Sequence, residues 1–544
     1  MRVRLHEFAA RETQMKTART LIVSSAATLV VFGGAQAADL PVKAKAIEYV
    51  RICSAYGAGF FYIPGTDTCL KIGGYLRADV SFNVAGAHGQ PAWSGDLGQQ
   101  NRYRDYFVDR SRMVLSFDTR TATEYGVVRT FGSSKIQFTT QGAGTVNPAN
   151  FTGSPSVGTN SGLLNQPGEG YVAVYDLFIQ FAGFTFGKSA SAYASPWQGS
   201  PGNLSSFLLG GHSSDNSGPN NIQYTAQFGN GVSATIGLDD PVVWDRTSVY
   251  NLALALNATL GGSNAYAGVH APEAVGNIRV EQAWGLFQIS AAAHEVSGSY
   301  NVLNGVAVPG GAVGIAGGAA TALSEISGHP ETKWGGAVMA ALNIKNIPTG
   351  AGDDIKVDAS YARGATKYVI STDAASPSFA MFSGTGRAGA YQSVGFGATT
   401  DAVYLPAANG GDGSLHLTEA YGIRGAFTHN WDPHWSSSLY GGYAVVRYDG
   451  AAKASICANY TTPAKAVSVD YSCNPDYNVS QVGLVTRWTP VKNLTFSAEV
   501  QWFHLDQKFT GAATLSAAAP KPTTVYEFKD QNAMQFELRA QRNF

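Results

Sequence analysis

Close to the C-terminus the chain alternates: Met534, Phe536, Leu538, Ala540 and Phe544 are apolar, while Gln535, Glu537, Arg539, Gln541 and Asn543 are polar. A period of two marks a β-strand whose faces meet different surroundings. Leu70, Ile72, Leu76, Val80 and Phe82 repeat the pattern against Lys71, Tyr75, Arg77, Asp79 and Ser81. So do Met113, Leu115 and Phe117 against Arg112, Ser116 and Asp118. Extended along the chain, the pattern predicts sixteen strands, near 70–82, 110–119, 125–138, 171–181, 183–188, 221–228, 231–239 and 277–284, then 286–296, 333–343, 353–362, 419–430, 435–448, 478–489, 493–506 and 533–544. Alternation by itself fits a soluble sandwich with its apolar face inward equally well.

The connections separate the two folds. Joints after even-numbered strands are mostly tight: Thr121–Glu124, Ala182, Gly229–Asn230, Gly285, Asn430–His434 and Thr489–Lys492. Segments 83–109, 189–220, 240–276, 297–332, 363–418, 449–477 and 507–532 are long and rich in Gly, Ser, Ala, Asn and Pro. An even number of antiparallel strands, with turns at one end and loops at the other, is the pattern of an outer-membrane β-barrel. Hydrocarbon offers no partner to backbone N–H and C=O groups, and closure satisfies them without an edge. Outward positions then want apolar side chains, and a sixteen-stranded interior is too wide for side chains to fill. The expected fold is therefore all-β, a 16-stranded antiparallel transmembrane barrel. Arg542 breaks the outward apolar set, at a cost of only about 0–1 kcal/mol if it lies near an interface.

Composition agrees. Charged residues make up 14% of the 544, beside 63 Gly, 26 Tyr and 27 Phe, which argues against a helical protein. A formal net charge of −1 supplies no field for nucleic acid, so none is expected as a partner. A mean hydropathy of −0.06 excludes a bundle of membrane helices. The uncharged stretch 296–324 is long enough for one, but Val302–Leu323 holds Pro309 and six glycines, and it is taken as an external loop.

Thr20–Phe32 is a short apolar run after Lys16 and Arg19 and before Ala35-Gln36-Ala37, the layout of a secretory signal peptide. Residues 1–37 are assigned to it, with Met15 the expected start, and 38–544 form one barrel domain whose strands and loops occupy 69–544. Export permits disulfides, and of the three possible connectivities the positions favour local pairing, Cys53 with Cys69 and Cys457 with Cys473. No C-x-x-C or nearby His pair supports a metal site, and no cofactor is expected.

Over the first strands, alternation turns Lys71, Arg77, Arg110, Arg112, Arg129 and Lys135 to the interior, with only Asp79 and Asp118 as acids on that face. Charges gathered at a narrow point decide which ions pass. Segment 189–220 carries its own apolar set, Trp197, Leu204, Phe207, Leu208 and Leu209, and such a loop can fold into a barrel. Its one acid, Asp215, makes a strongly acidic barrier, and hence strong cation selectivity, unexpected.

Four stretches, GAGFFYIPGTDTCLKIGGY (57–75), DRSRMVLSFDTRTATEYG (109–126), DLFIQFAGFTFGKS (176–189) and NIRVEQAWG (277–285), resemble the alphaproteobacterial outer-membrane porins. The resemblance implies a homotrimer of sixteen-stranded barrels in the cell outer membrane. It also implies that the third external loop, 189–220, folds inward to form a constriction opposite an arginine-rich wall containing Arg110 and Arg112. Partners would be the lipid bilayer and lipopolysaccharide, with ions and small hydrophilic solutes passing through. The expected function is passive diffusion, biased by Arg110, Arg112, Arg129 and Lys135. Its rivals are a substrate-specific channel and an adhesive or structural barrel with a shut lumen.

Enzyme motifs are thin. Gly384–Gly389 matches G-x-G-x-x-G without a βαβ unit around it, and Gly211–Asp215 lacks the last glycine of G-x-S-x-G. No catalysis is expected.

Overall fold

A computed structural model describes residues 51–84, 89–93, 98, 100, 106–139, 170–204, 206–210, 218–242, 245–252, 264–300, 328–371, 378–407, 410–461, 465–515 and 521–544. The chain divides into two compact units, 1–51 and 52–544. The leader expected at 1–37, the loop residue Asp215 and most of 297–332 lie outside the described residues.

In the second unit, sixteen antiparallel strands close on themselves. They are β1 (Thr68–Phe82), β2 (Phe107–Thr123), β3 (Gly126–Thr139), β4 (Gly170–Phe181), β5 (Phe184–Lys188), β6 (Asn220–Gly229), β7 (Val232–Asp239) and β8 (Glu273–Gln282). There follow β9 (Gly285–Val296), β10 (Lys333–Lys345), β11 (Asp354–Arg363), β12 (Glu419–Asn430), β13 (Trp435–Arg447), β14 (Tyr477–Val491), β15 (Leu494–Gln507) and β16 (Gln531–Asn543). Each strand pairs with its neighbours in sequence, and β16 pairs with β1 from Asn543↔Tyr75 to Phe536↔Phe82. At Ala182-Gly183 and Asn230-Gly231 both residues take positive φ, +50° and +86°, +51° and +76°, the type I′ geometry that matches strand twist. The turn expected at Gly285 falls instead at Ala283-Trp284, since Gly285 already pairs with Gln282 and Ile344.

Ile72, Leu76, Phe536 and Leu538 project outward, and Leu76 and Leu538 are 58% and 50% exposed. The other parity of the same strands, Asp79, Ser81, Gln535, Glu537 and Arg539, is buried. A water-soluble sandwich would invert this arrangement, because a monomer does not hold a continuous apolar belt against water. Arg542, exposed, donates to the Lys492 carbonyl at the turn end.

Below the C-terminus β1 outruns its partner: Phe544 meets Gly74, leaving Thr68–Gly73 without β16 alongside. A hairpin fills the gap. Phe61-Tyr62 pairs with Leu70 and Cys69, Ile52 bridges Phe61, and Cys53 is disulfide-bonded to Cys69. An open strand edge is thereby covered.

The opposite end carries more order than a set of glycine-rich loops. The connections 364–418, 448–476 and 508–530 contribute to a five-stranded sheet in the order Ser378–Ser383, Gln392–Ala398, Thr524–Phe528, Ala512–Leu515 and Lys465–Ala466. A three-stranded sheet joins Leu415–Leu417, Thr400–Tyr404 and Ser248–Asn251. Helix α1 (Gly450–Thr461) is tied by the Cys457–Cys473 disulfide. These elements share an apolar core with inward residues of β8 to β16, among them Phe379, Phe396, Tyr477, Phe503 and Phe528. Asp401 anchors the cap, accepting hydrogen bonds from Thr247 N, Thr366 N and Tyr266 Oη at 2.7, 2.7 and 2.8 Å. Burial opposes ionisation of Asp401, but His294 and these donors hold its carboxyl below the usual range.

Candidate functional site

The inner face of β16, β1, β2 and β3 carries a basic wall. Cross-strand register aligns Asp79 with Arg110 and Arg539, and Arg77 with Arg112 and Gln541. Arg110 Nε and Nη2 donate to Asp79 Oδ2 at 2.8 and 2.6 Å, while Arg539 Nε donates to Asp79 Oδ1 at 2.5 Å and its Nη2 to Glu537 at 2.5 Å. Arg112 donates to Gln137 Oε1 at 2.6 Å and Tyr175 Oη at 2.5 Å, and Lys135 Nζ lies 5.0 Å from the Tyr175 ring centre. Arg77 reaches Gln541 at 2.8 Å and stacks on Tyr75. Five cations thus stand against two carboxylates, Asp79 and Glu537. Arg110 and Arg112 are only 3% and 5% exposed, so their guanidiniums are not splayed into open solvent.

Segment 189–210 bonds to inward side chains across the facing strands. Asn277 of β8 donates to Ala192 O, Gln288 of β9 donates to Ala194 O at 2.9 Å, and Trp197 Nε1 donates to Asp358 of β11 at 2.7 Å. Arg424 of β12 pairs with Asp358 at 2.9 Å and donates to Ser195 Oγ, Gln198 O and Leu208 O. Further on, Gln481 and Arg487 of β14 donate to Phe207 O and Gly202 O at 2.5 and 2.6 Å. Glu499 of β15 accepts from Leu204 N and Ser206 Oγ, each at 3.0 Å. Phe207 and Leu209 join the cap core and Leu208 packs on Tyr440. Burial raises the Tyr193 phenol, whose ring lies 4.5 Å from that of Tyr368.

The six interior cations singled out by alternation therefore fall into two groups. Arg77, Arg110, Arg112 and Lys135 gather on one level of the wall. Lys71 and Arg129 do not join them. Arg129 belongs with Arg120 and Asp118 at the turn end: Arg129 Nε and Nη2 and Arg120 Nη2 all reach the Asp118 carboxylate at 3.0 Å. Lys71, in register with Asp118, is exposed beside Phe60.

Arg539, Glu537 and Glu499 are buried inward residues that the same alternation marks, but they lie beyond the first strands, to which the expected wall was confined. The Arg424–Asp358 pair carried the signal of two opposite charges on inward positions of adjacent strands.

Comparison with known proteins agrees with this architecture. The family model of the porin subfamily, Porin_2, matches residues 39–536. Porin Omp2b of Brucella abortus is 30% identical over 269 residues, 49% of this chain and 63% of that protein, and Porin Omp2b of Brucella melitensis matches at the same identity and coverage. The match thus spans somewhat under two thirds of these curated relatives. Among solved structures, the outer membrane channel DcaP of Acinetobacter baumannii superposes with a TM-score of 0.52 at 14% identity, covering 89% of this chain and 99% of that one, a likeness of fold. A closed sixteen-stranded barrel with an apolar outer belt, matched along nine tenths of its length by one family model, sits in the outer membrane, and the chain belongs to the porin subfamily.

Proposed function

We propose that the protein is a passive channel for ions and small hydrophilic solutes, its passage running between segment 189–210 and the basic wall of β16, β1, β2 and β3. The observation that carries this reading is the asymmetry of the interior. Polar groups of β11, β12, β14 and β15 bond to the segment, whereas on the wall five cations, Arg77, Arg110, Arg112, Lys135 and Arg539, stand near two carboxylates, Asp79 and Glu537. A narrow passage bounded by fixed net positive charge favours anions and orients polar solutes. Segment 189–210 is the constriction in this reading, and no bond is made or broken in transit. Residues 1–37 act as the export signal, and three copies assemble in a bilayer containing lipopolysaccharide.

Planar-bilayer recording under a salt gradient tests it. Wild-type channels are expected to show a reversal potential on the anion side of zero, and R110Q/R112Q one displaced toward cations. Unchanged potentials remove Arg110 and Arg112 from the constriction. The cap over β8–β16 favours a second reading, a substrate-specific channel, whose mark is conductance that saturates and is blocked by its solute. Absence of any conductance would leave the adhesive barrel with a shut lumen.

A further inference from the structure

The turn end of the barrel holds a second charged station. Arg112 and Arg120 lie on the same face of β2, eight residues apart, roughly 27 Å along an extended strand. The station is therefore separate from the wall around Arg110.

Its construction is specific. The Asp118 carboxylate accepts two hydrogen bonds from Arg120, at 3.3 and 3.0 Å, and two from Arg129, each at 3.0 Å. The remaining Arg129 nitrogen donates to Gln180 at 2.9 Å. One carboxylate thus orders two guanidiniums, and Lys71, the register partner of Asp118, adds a third cation that has no ion-pair partner among the described residues. Among these four side chains the formal balance is three positive charges against one negative.

A hairpin is fitted over this group. Cys69 shares the inward parity of Lys71 and pairs with Arg120, so the disulfide to Cys53 draws Cys53, Tyr56 and Phe60 to the interior side. The Arg120 guanidinium sits 4.9 Å from the Phe60 ring centre and 5.7 Å from that of Tyr56, and Lys71 Nζ lies 5.9 Å from Phe60. Gly59, at φ +88°, runs so close that a Cβ there would lie 3.4 Å from Lys71 Cε. Aromatic faces hold cations in place without neutralising them. Covering the β1 edge needs only Phe61 and Tyr62; it does not explain why the chain returns, is cross-linked and seats two rings on an arginine.

We propose that Lys71, Arg120 and Arg129 form a binding site for small doubly charged oxyanions at the turn-side mouth, and that the cross-linked hairpin 52–62 positions Arg120 and Lys71 for it. The inference rests on the channel reading and adds a site that a solute meets before or after the constriction. Two negative charges match the excess of two positive ones, and the guanidinium planes suit the oxygen pairs of a phosphate.

The probe is inorganic phosphate at mildly alkaline pH, added to one side of a bilayer holding the full-length channel in chloride. Phosphate on the turn side is expected to block chloride current at lower concentration than phosphate on the loop side. K71Q/R120Q should raise the half-blocking concentration roughly fivefold, and C53S/C69S should raise it in the same direction, because the rings lose their tether. R110Q/R112Q should shift the reversal potential yet keep the turn-side block. Should the double variant fail to insert, K71Q alone, on an exposed side chain, gives the same test with a smaller shift. Block by phosphate that is identical in wild type and in the Lys71 and Arg120 variants overturns the site, as does conductance with no phosphate block at all. A wild-type protein that inserts and carries no current overturns the channel reading instead.

Discussion

The two halves of the barrel interior are built by different rules. From β8 to β16 many loop-end inward positions are apolar, Val275, Met339, Tyr477 and Phe503 among them, and they pack under the cap. From β1 to β3 the inward positions are Arg77, Asp79, Arg110, Arg112, Lys135 and Gln137, joined by hydrogen bonds between side chains. The outer face is alike on both halves, so lipid set one constraint on the whole wall. The inner face was free to differ, and it differs according to what lies against it: folded loop on one side, a charged lattice on the other.

Ion pairs on the two halves offer the sharpest contrast. Asp79 is the shared acceptor of Arg110 and Arg539, all three buried. D79N removes the carboxylate that Arg110 and Arg539 share, Arg539 keeping Glu537, and is expected to cost about 3–5 kcal/mol, the usual penalty for stripping one partner from a buried pair. On the loop-packed half, D358N strips the carboxylate from Arg424, which keeps Ser195, Gln198 and Leu208 as acceptors. Its loss should be smaller, and thermal unfolding of the two variants in detergent ranks them. Equal losses would mean that the loop carbonyls contribute nothing to holding Arg424.

The cap gives the next effect. The Cys457–Cys473 bridge spans 16 residues, and closing a loop of that size stabilises by about 3 kcal/mol in the chain-entropy account. C457S/C473S should open the cap to protease around α1 while the strands stay protected. Cleavage confined to the cap would show that this core is a satellite of the barrel; simultaneous loss of the strands would join the two halves into one cooperative unit.

Selectivity separates the halves by charge alone. R110Q/R112Q removes two cations from the wall and should move the reversal potential toward cations. R424Q removes one that segment 189–210 encloses, and should leave the potential nearly unchanged. If R424Q proves as effective per charge, the passage runs along β12 and the wall of β1–β3 is structural.

How much of this could be read from residues follows from periodicity. Lipid imposes an outward rule on every strand, so Leu76, Phe117 and Phe536 announced the barrel, and all sixteen strands fall where alternation put them. Local cysteine spacing likewise gave both disulfides. The cap was illegible for a physical reason: Gln392–Ala398 is buried on both faces and shows no alternation, and its parallel partner Thr524–Phe528 lies more than a hundred residues away. Lys71 and Arg129 had the right parity for the wall, but parity carries no information about height, and register of Lys71 with Asp118 and of Arg129 with Arg120 places them at the other end. Tyr477 and Phe503 break the rule of polar inward residues because a loop, not water, covers them.

The smallest expected effect lies in the cap's outer clasp. Arg387 donates to both oxygens of Asp470, joining the turn after Ser378–Ser383 to segment 465–476. That hydrogen bond, helped by Ser468, holds the Asp470 carboxyl down at about 2. A depressed carboxyl pKa stabilises the folded form above the ordinary value near 3.8 and loses that contribution as pH falls through the folded value. The clasp should therefore be indifferent to pH across the neutral range and weaken only between about 4 and 2. Hydrogen exchange of residues 384–391, compared between wild type and D470N, measures it. The variant should exchange slightly faster at neutral pH and match wild type in strong acid. Curves that stay apart at the acid end would show that Asp470 acts there by shape and not by charge, and would leave the cap held by its apolar core, its disulfide and Asp401.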